Sequence, residues 1–146
     1  MARWVKINAD EVASFQCGEV YASKLLTGSE MAGQSVININ EGTLKPFART
    51  GGAAHENTEI YYMVDVSEGS FVVLGEGEEE KRVPVRNGDI IVIPGGTFHW
   101  IDNLNCDKPF VLFTFWPDEK QNGVYFKRMQ AWGASMRYLQ NKEGVK

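Results

Sequence analysis

A chain of 146 residues and 16.4 kDa suits one domain, expected here over 1–146, and leaves no room for separate cofactor and substrate domains. With 43% hydrophobic and 23% charged residues it has the composition of a folded protein rather than a disordered one. The formal net charge of −4, from 15 Lys/Arg against 19 Asp/Glu, excludes the basic excess of a duplex nucleic-acid binder, and no apolar run approaches the ~20 residues of a membrane-spanning helix.

The first six residues, Met1 to Lys6, lack the apolar stretch of a secretory signal. Cys17 and Cys106 are far apart and belong to no disulfide framework. Reduced thiols in a cytoplasmic protein are therefore expected. Asn8 is a local cap for a short helical turn within Ala9 to Phe15. The stretch Ser23 to Glu30 reads as either helix or strand. From Ser35 onward the pattern changes to period two: Ser35 to Asn40 alternates as a half-buried strand does, and Glu59 to Val66 is rich in Tyr, Ile and Val. A turn at Ser67-Glu68-Gly69 leads into a strand at Phe71 to Leu74, and the Gly/Glu run 75–80 reads as a solvated hairpin tip. The return strand, Arg82 to Val85, carries Pro84, which marks an edge or a bulge. Asn87-Gly88 is a turn signal, Asp89 to Ile93 a short apolar strand, and Pro94-Gly95-Gly96 a second turn. Thr97 to Asp102 and Phe110 to Trp116 complete the strands, and their aromatics, Phe98, Trp100, Phe113 and Phe115, are expected to share one packed face. Beyond Pro117 the tail is helical or extended. Its best helical stretch, Tyr125 to Gln140, places Phe126, Met129, Trp132 and Met136 at spacings of three and four, with Gly133 as a weak point. Eight or more short strands joined by tight turns predict an all-β domain, a sandwich or small barrel.

Chemistry concentrates at the only two histidines, His55 and His99. Taken singly, each is more simply a surface or core residue than a ligand. The stretch GDIIVIPGGTFHWIDN, residues 88–103, places Gly88, Pro94, Gly95, Gly96, His99 and Asn103 at fixed spacing, and in that spacing it resembles the second motif of the cupin superfamily. The stretch around His55 resembles the first motif less fully. His55 and Glu59 fall on its second His and its Glu, Ala53 stands where its first His would be, and Gly69 falls later than its glycine. The resemblance covers roughly residues 35–116. It implies a cupin-type double-stranded β-helix, that is, a jelly-roll barrel with short N-terminal elements before it.

The resemblance also implies a metal held by His55, Glu59 and His99. On one straight strand His55 and Glu59 would stand about 13 Å apart at a rise of ~3.3 Å per residue, so a turn at Asn57-Thr58 must bring them together. Two imidazoles and a carboxylate form a facial set with open positions, suited first to Fe(II) and also to Mn, Ni, Co or Zn. Ala53 leaves room where a fourth ligand would sit. Tyr61 shares strand parity with Glu59 and is a candidate catalytic residue facing the cavity. Arg49 is a second catalytic candidate, for a substrate carboxylate or phosphate, and Lys45 a second cation nearby, although a solvated charge is the simpler reading of both. Phe47, Phe113 and Phe115 are candidate apolar walls. Asp102, at odd offset from His99, is read as structural, and Asn57 as a turn residue.

No nucleophile elbow, phosphate-binding loop or dinucleotide fingerprint occurs. The resemblance implies a metal-dependent enzyme acting on a small molecule, with a non-haem Fe(II)-type dioxygenase as the first expectation. A metal-dependent isomerase, lyase or cyclase on a small carbonyl or sugar-derived substrate is the alternative, as is a non-catalytic small-molecule binder. No nucleic-acid or membrane partner is expected. A homodimer is, with the apolar tail stripe and Trp4 as interface candidates.

Overall fold

The structure is a computed structural model, and it describes residues 6–12, 14–27 and 37–117. Among the described residues ten strands follow one another: β1 (Phe15–Cys17), β2 (Tyr21–Thr27), β3 (Ile37–Leu44), β4 (Ala48–Arg49), β5 (Glu59–Asp65), β6 (Phe71–Leu74), β7 (Lys81–Pro84), β8 (Ile90–Ile93), β9 (His99–Asn103) and β10 (Phe110–Pro117). Every pairing is antiparallel. One sheet has six strands in the order β1-β2-β3-β10-β5-β8, and the other has four in the order β4-β9-β6-β7.

The alternation that marks the strands also builds the core. Along β10, Phe110, Leu112, Thr114 and Trp116 are buried while Val111, Phe113 and Phe115 are partly exposed. Leu44, Met63, Phe110 and Leu112 from the larger sheet meet Val72, Ala48 and Ile101 from the smaller one in a single cluster between the two sheets. Burial of such side chains stabilises the sandwich by roughly 1.5–3 kcal/mol each. Asn87-Gly88 forms its turn with Gly88 at φ 89°, and the Gly88 N–H donates to Met63 O at 2.9 Å. Pro84 lies on β7, the edge of the four-stranded sheet, where no ladder partner needs its missing N–H.

At the N-terminus the side chain of Asn8 accepts a hydrogen bond from Asp10 N at 2.9 Å and caps a single 3-10 turn, Ala9–Glu11. Two expectations change. The ambiguous stretch beginning at Ser23 is strand up to Thr27, because β2 pairs along β3 and buries Ser23 and Leu25 on alternate positions; pairing with a neighbour outweighs weak local preference. The aromatics of β9 and β10 do not share a face. Trp100 lies on the four-stranded sheet and Phe113 and Phe115 on the six-stranded one. Phe113 stacks with Tyr62 at 6.4 Å and meets Phe115 edge-on at 6.5 Å, on the side of the sheet turned away from the core. The tail stripe and Trp4 lie outside the described residues. No helix among the described residues is long and apolar enough to cross a membrane.

Candidate metal centre

Three local devices bring His55, Glu59 and His99 together. The first is a two-residue bridge: Ala53 N–H donates to His99 O at 3.1 Å and His99 N–H to Ala53 O at 3.0 Å. This lays the 51–55 segment along the start of β9, and the His55 and His99 rings meet edge-on with centroids 5.2 Å apart. The second device is the 94–97 turn. Gly96, at φ 81°, donates its N–H to His55 O at 2.6 Å, and Thr97 N–H closes the turn on Pro94 O at 3.2 Å. A Cβ on Gly95 would collide with Glu56 O, so only glycine lets this turn lie against the bend that carries His55. The third is that bend, at Glu56-Asn57, after which β5 begins at Glu59. Glu59, on β5 opposite Ile93 of β8, points inward and is 2% exposed.

The geometry follows. His55 Nε2 stands 3.4 Å and His99 Nε2 3.6 Å from the same oxygen, Glu59 Oε2. One ligand atom from each residue lies within 4.8 Å of the other two. Atoms ~2.1 Å from a common ion sit about 3 Å apart, so small side-chain adjustments suffice for all three to share one. His99 Nδ1 contacts Thr97 O at 2.9 Å. A carbonyl only accepts, so Nδ1 carries the hydrogen and Nε2, the atom facing Glu59, keeps its lone pair. His99 and Glu59 are both buried and His55 is partly so. A carboxylate removed from water needs positive charge beside it, and an ion held by two neutral imidazoles supplies it. Imidazole and carboxylate without thiolate fit divalent Fe, Mn, Co, Ni or Zn. On these grounds the residues present fit a divalent transition metal.

The site opens into a cavity of about 370 Å³. His55 and His99 form its floor with Ala53, whose methyl leaves space beside them. Tyr61 lines it as strand parity predicts, its ring 5.7 Å from His99. Val20, Tyr21 and Ile101 add an apolar wall, and Thr50, Gly51 and Gly52 form the remaining side. Neither Val20 nor Tyr21 is marked as a site residue by the sequence, because Val20 precedes β2 and Tyr21 opens it, in a stretch with no motif. Gly42 accommodates Tyr21: a Cβ there would overlap the phenol oxygen.

Several expected site residues lie elsewhere. Arg49 does not line the cavity; its guanidinium sits 3.7 Å over the Trp100 ring, and its Nε donates to Thr50 O at 3.1 Å. Arg49 is paired with Asp102 across β4 and β9, so it shares the face of Asp102 and Trp100, opposite to that of His99 and Ile101. Lys45 and Phe47 are exposed, Phe47 by 66%, and Phe113 and Phe115 belong to the outer face described above. Asp102 is structural, as its offset predicts: it is ion-paired with Arg82 and accepts from Leu104 N at 3.0 Å. Asn103, the last residue of the second motif, is a clamp. It donates to Lys45 O at 3.1 Å and Lys108 O at 2.8 Å and accepts from Ser70 Oγ at 2.9 Å.

No family model matches the chain. Against curated proteins, it is 38% identical over 61 residues to an acireductone dioxygenase of Phaeosphaeria nodorum, a stretch covering 40% of this chain and 34% of that protein. The matched region thus spans about a third of the length of that relative. Among solved structures it is similar to the polyketide cyclase RemF from Streptomyces resistomycificus, with a TM-score of 0.66 at 16% identity over 80% of this chain and 81% of that one. It is also similar to the Drosophila melanogaster CENP-C cupin domain, with a TM-score of 0.61 at 22% identity over 76% of this chain and 79% of that one. With two antiparallel sheets closed over one core and both motif histidines converging inside, the chain has the cupin jelly-roll fold.

Proposed function

We propose that the protein is a metal-dependent enzyme acting on a small organic molecule, and that its chemistry is that of a non-haem Fe(II)-type dioxygenase. The observation that carries this reading is the convergence of His55 Nε2 and His99 Nε2 on buried Glu59 at the floor of an open cavity. The stretch similar to an acireductone dioxygenase supports the choice of reaction. A ferrous ion held by His55, Glu59 and His99 would supply dioxygen activation there.

The chain's own residues do the rest. Thr97 O fixes the tautomer of His99 through Nδ1, so that Nε2 stays available as a ligand. Val20, Ile101 and the two phenol rings give the cavity an apolar wall, against which a bound substrate would displace water and strengthen the polar contacts made there. Tyr61, which lines the cavity with its ring beside His99, serves in this reading as proton donor to a substrate oxygen. Among the described residues, no Lys, Arg or Asp lines the cavity. This favours a compact substrate with little charge of its own, gripped by adjacent oxygens, over a phosphate ester or a dicarboxylate.

Oxygen uptake is the test. The protein is loaded with Fe(II) and offered a panel of small enediols, β-diketones and α-hydroxyketones. Stoichiometric oxygen consumption with at least one of them, absent in Glu59→Gln, is the expected result. Turnover that proceeds equally without oxygen would move the reaction to a metal-dependent isomerase, lyase or cyclase. Binding of a panel member that is unaltered in metal-free protein, with no turnover, would leave a non-catalytic binder.

A further inference from the structure

The inner face of the six-stranded sheet is not uniformly apolar. Leu25, Leu44, Met63, Phe110 and Leu112 are buried there, but so are Ser23 of β2, Asn40 of β3 and Thr114 of β10. The Ser23 hydroxyl donates to Asn40 Oδ1, and Asn40 Nδ2 donates to Thr114 Oγ1 at 3.3 Å. Buried polar groups are costly unless paired, and these three satisfy one another across adjacent strands. Tyr61 stands opposite Thr114 on the next strand, β5, so this polar row reaches the cavity.

Tyr21 lies beside the row. Its phenol covers Gly42 of β3, where a Cβ would overlap the phenol oxygen and stand 2.7 Å from Cζ. Gly42 lies between Ser23 and Leu112 in register, two residues from Asn40. The phenol oxygen thus takes the place that a side chain at 42 would fill, next to the polar row, while the residue lines the cavity. This place is remote from the metal ligands. Leu112 faces Met63 on its other side, and Met63 is four residues along β5 from Glu59, about 13 Å at ~3.3 Å per residue.

We propose that Tyr21 is the specificity-determining residue of the site, its hydroxyl binding an oxygen at the end of the substrate distal to the metal. The inference rests on the metal-dependent reading above. It narrows the substrate to a molecule with two adjacent oxygens at one end and a hydroxyl or carbonyl at the other. A phenol O–H both donates and accepts, so it suits either group. Val20 and Ile101, in the same wall, present only carbon, and Thr50 Oγ1 is held by the Ile101 N–H at 2.8 Å.

Isothermal titration of the full chain loaded with Co(II) tests this, with the visible Co(II) spectrum recorded alongside. The probes are kojic acid and allomaltol. Both chelate through the same adjacent oxygens, and they differ by a hydroxymethyl against a methyl group on the far side of the ring. The parent protein should bind kojic acid roughly fivefold or more tightly than allomaltol, the worth of one hydrogen bond. In Tyr21→Phe, which keeps the ring, kojic acid alone should weaken until the preference vanishes, with allomaltol affinity, Co(II) content and the spectrum unchanged. Gly42→Ala, whose methyl displaces the phenol oxygen, should lose the preference as well. Equal affinities in the parent, or a preference that survives Tyr21→Phe, would overturn the inference and leave the metal centre standing. So would a Tyr21→Phe that weakens both probes alike, which would reduce the residue to the shape of the wall. A parent whose Co(II) spectrum neither probe shifts would overturn the inference together with the reading of the site.

Discussion

At the level of single residues, the candidate site separates groups able to hold a metal from those that position them. Glu59 and the two histidines are the first kind; Thr97, through its carbonyl, is the second. Tyr61 touches neither role and is the proton donor of the proposed reaction. Tyr61→Phe should therefore lower kcat at least 10-fold while Fe(II) stays bound at one equivalent; an unchanged kcat would remove it from the chemistry. Arg49→Ala should leave kcat and KM within about twofold, since its guanidinium lies over Trp100 on the opposite face of β9, and a large rise in KM would show that it reaches substrate after all. Asn103 answers to stability instead. Asn103→Ala strips partners from Lys45 O, Lys108 O and Ser70 Oγ at a fully buried position. It should cost about 2–4 kcal/mol, read as a lower urea midpoint at unchanged m-value.

At the level of elements, the centre depends on one turn lying against one bend. Pro94 to Thr97 approaches Glu56-Asn57 so closely that Gly95 has no room for a methyl group. Gly95→Ala should cost roughly 1–3 kcal/mol and weaken metal binding as well, because the displaced bend carries His55. Isothermal titration with Fe(II) or Co(II) measures the second effect; normal affinity in a destabilised variant would show that His55 moves independently of this turn. These elements also show what could be read in the sequence. Apart from β4, the strands from Ile37 to Trp116 and both histidine segments are visible because alternation, Asn-Gly, Pro-Gly-Gly and fixed ligand spacing are local signals. Glu59 is marked by the resemblance of its segment to the first motif, and Tyr61 is placed inward by its strand parity with Glu59. The start of β2, and with it Tyr21 in the cavity wall, carries no such signal, and its strand state comes from pairing with β3. The face of Arg49 was equally hidden, because it depends on which residue of β9 stands opposite it.

At the scale of the whole molecule, the two sheets have different tasks. The smaller one delivers His99 through β9, and its neighbour β4 leads into the segment that carries His55; the larger one delivers Glu59. The site therefore exists only when the sheets are closed over their shared core, so metal binding there would be coupled to folding. Loading the protein with its ion at 100 times Kd should raise the unfolding free energy by about 2.7 kcal/mol. Chelation should return the melting temperature to that of Glu59→Gln, a variant expected to fold but not to respond to metal. A melting temperature insensitive to the ion in the parent protein would place the bound metal, if any, away from the barrel interior.

The most direct measurement is metal content by mass spectrometry on protein purified without chelator and without air, beside His99→Ala. Close to one equivalent of a transition metal in the parent and almost none in the variant is the expected result, with iron identifying the dioxygen chemistry and manganese, nickel, cobalt or zinc redirecting the assays. No metal in either protein, even after reconstitution with each ion in turn, would contradict the centre formed by His55, Glu59 and His99 and leave the cavity as a metal-free binding site.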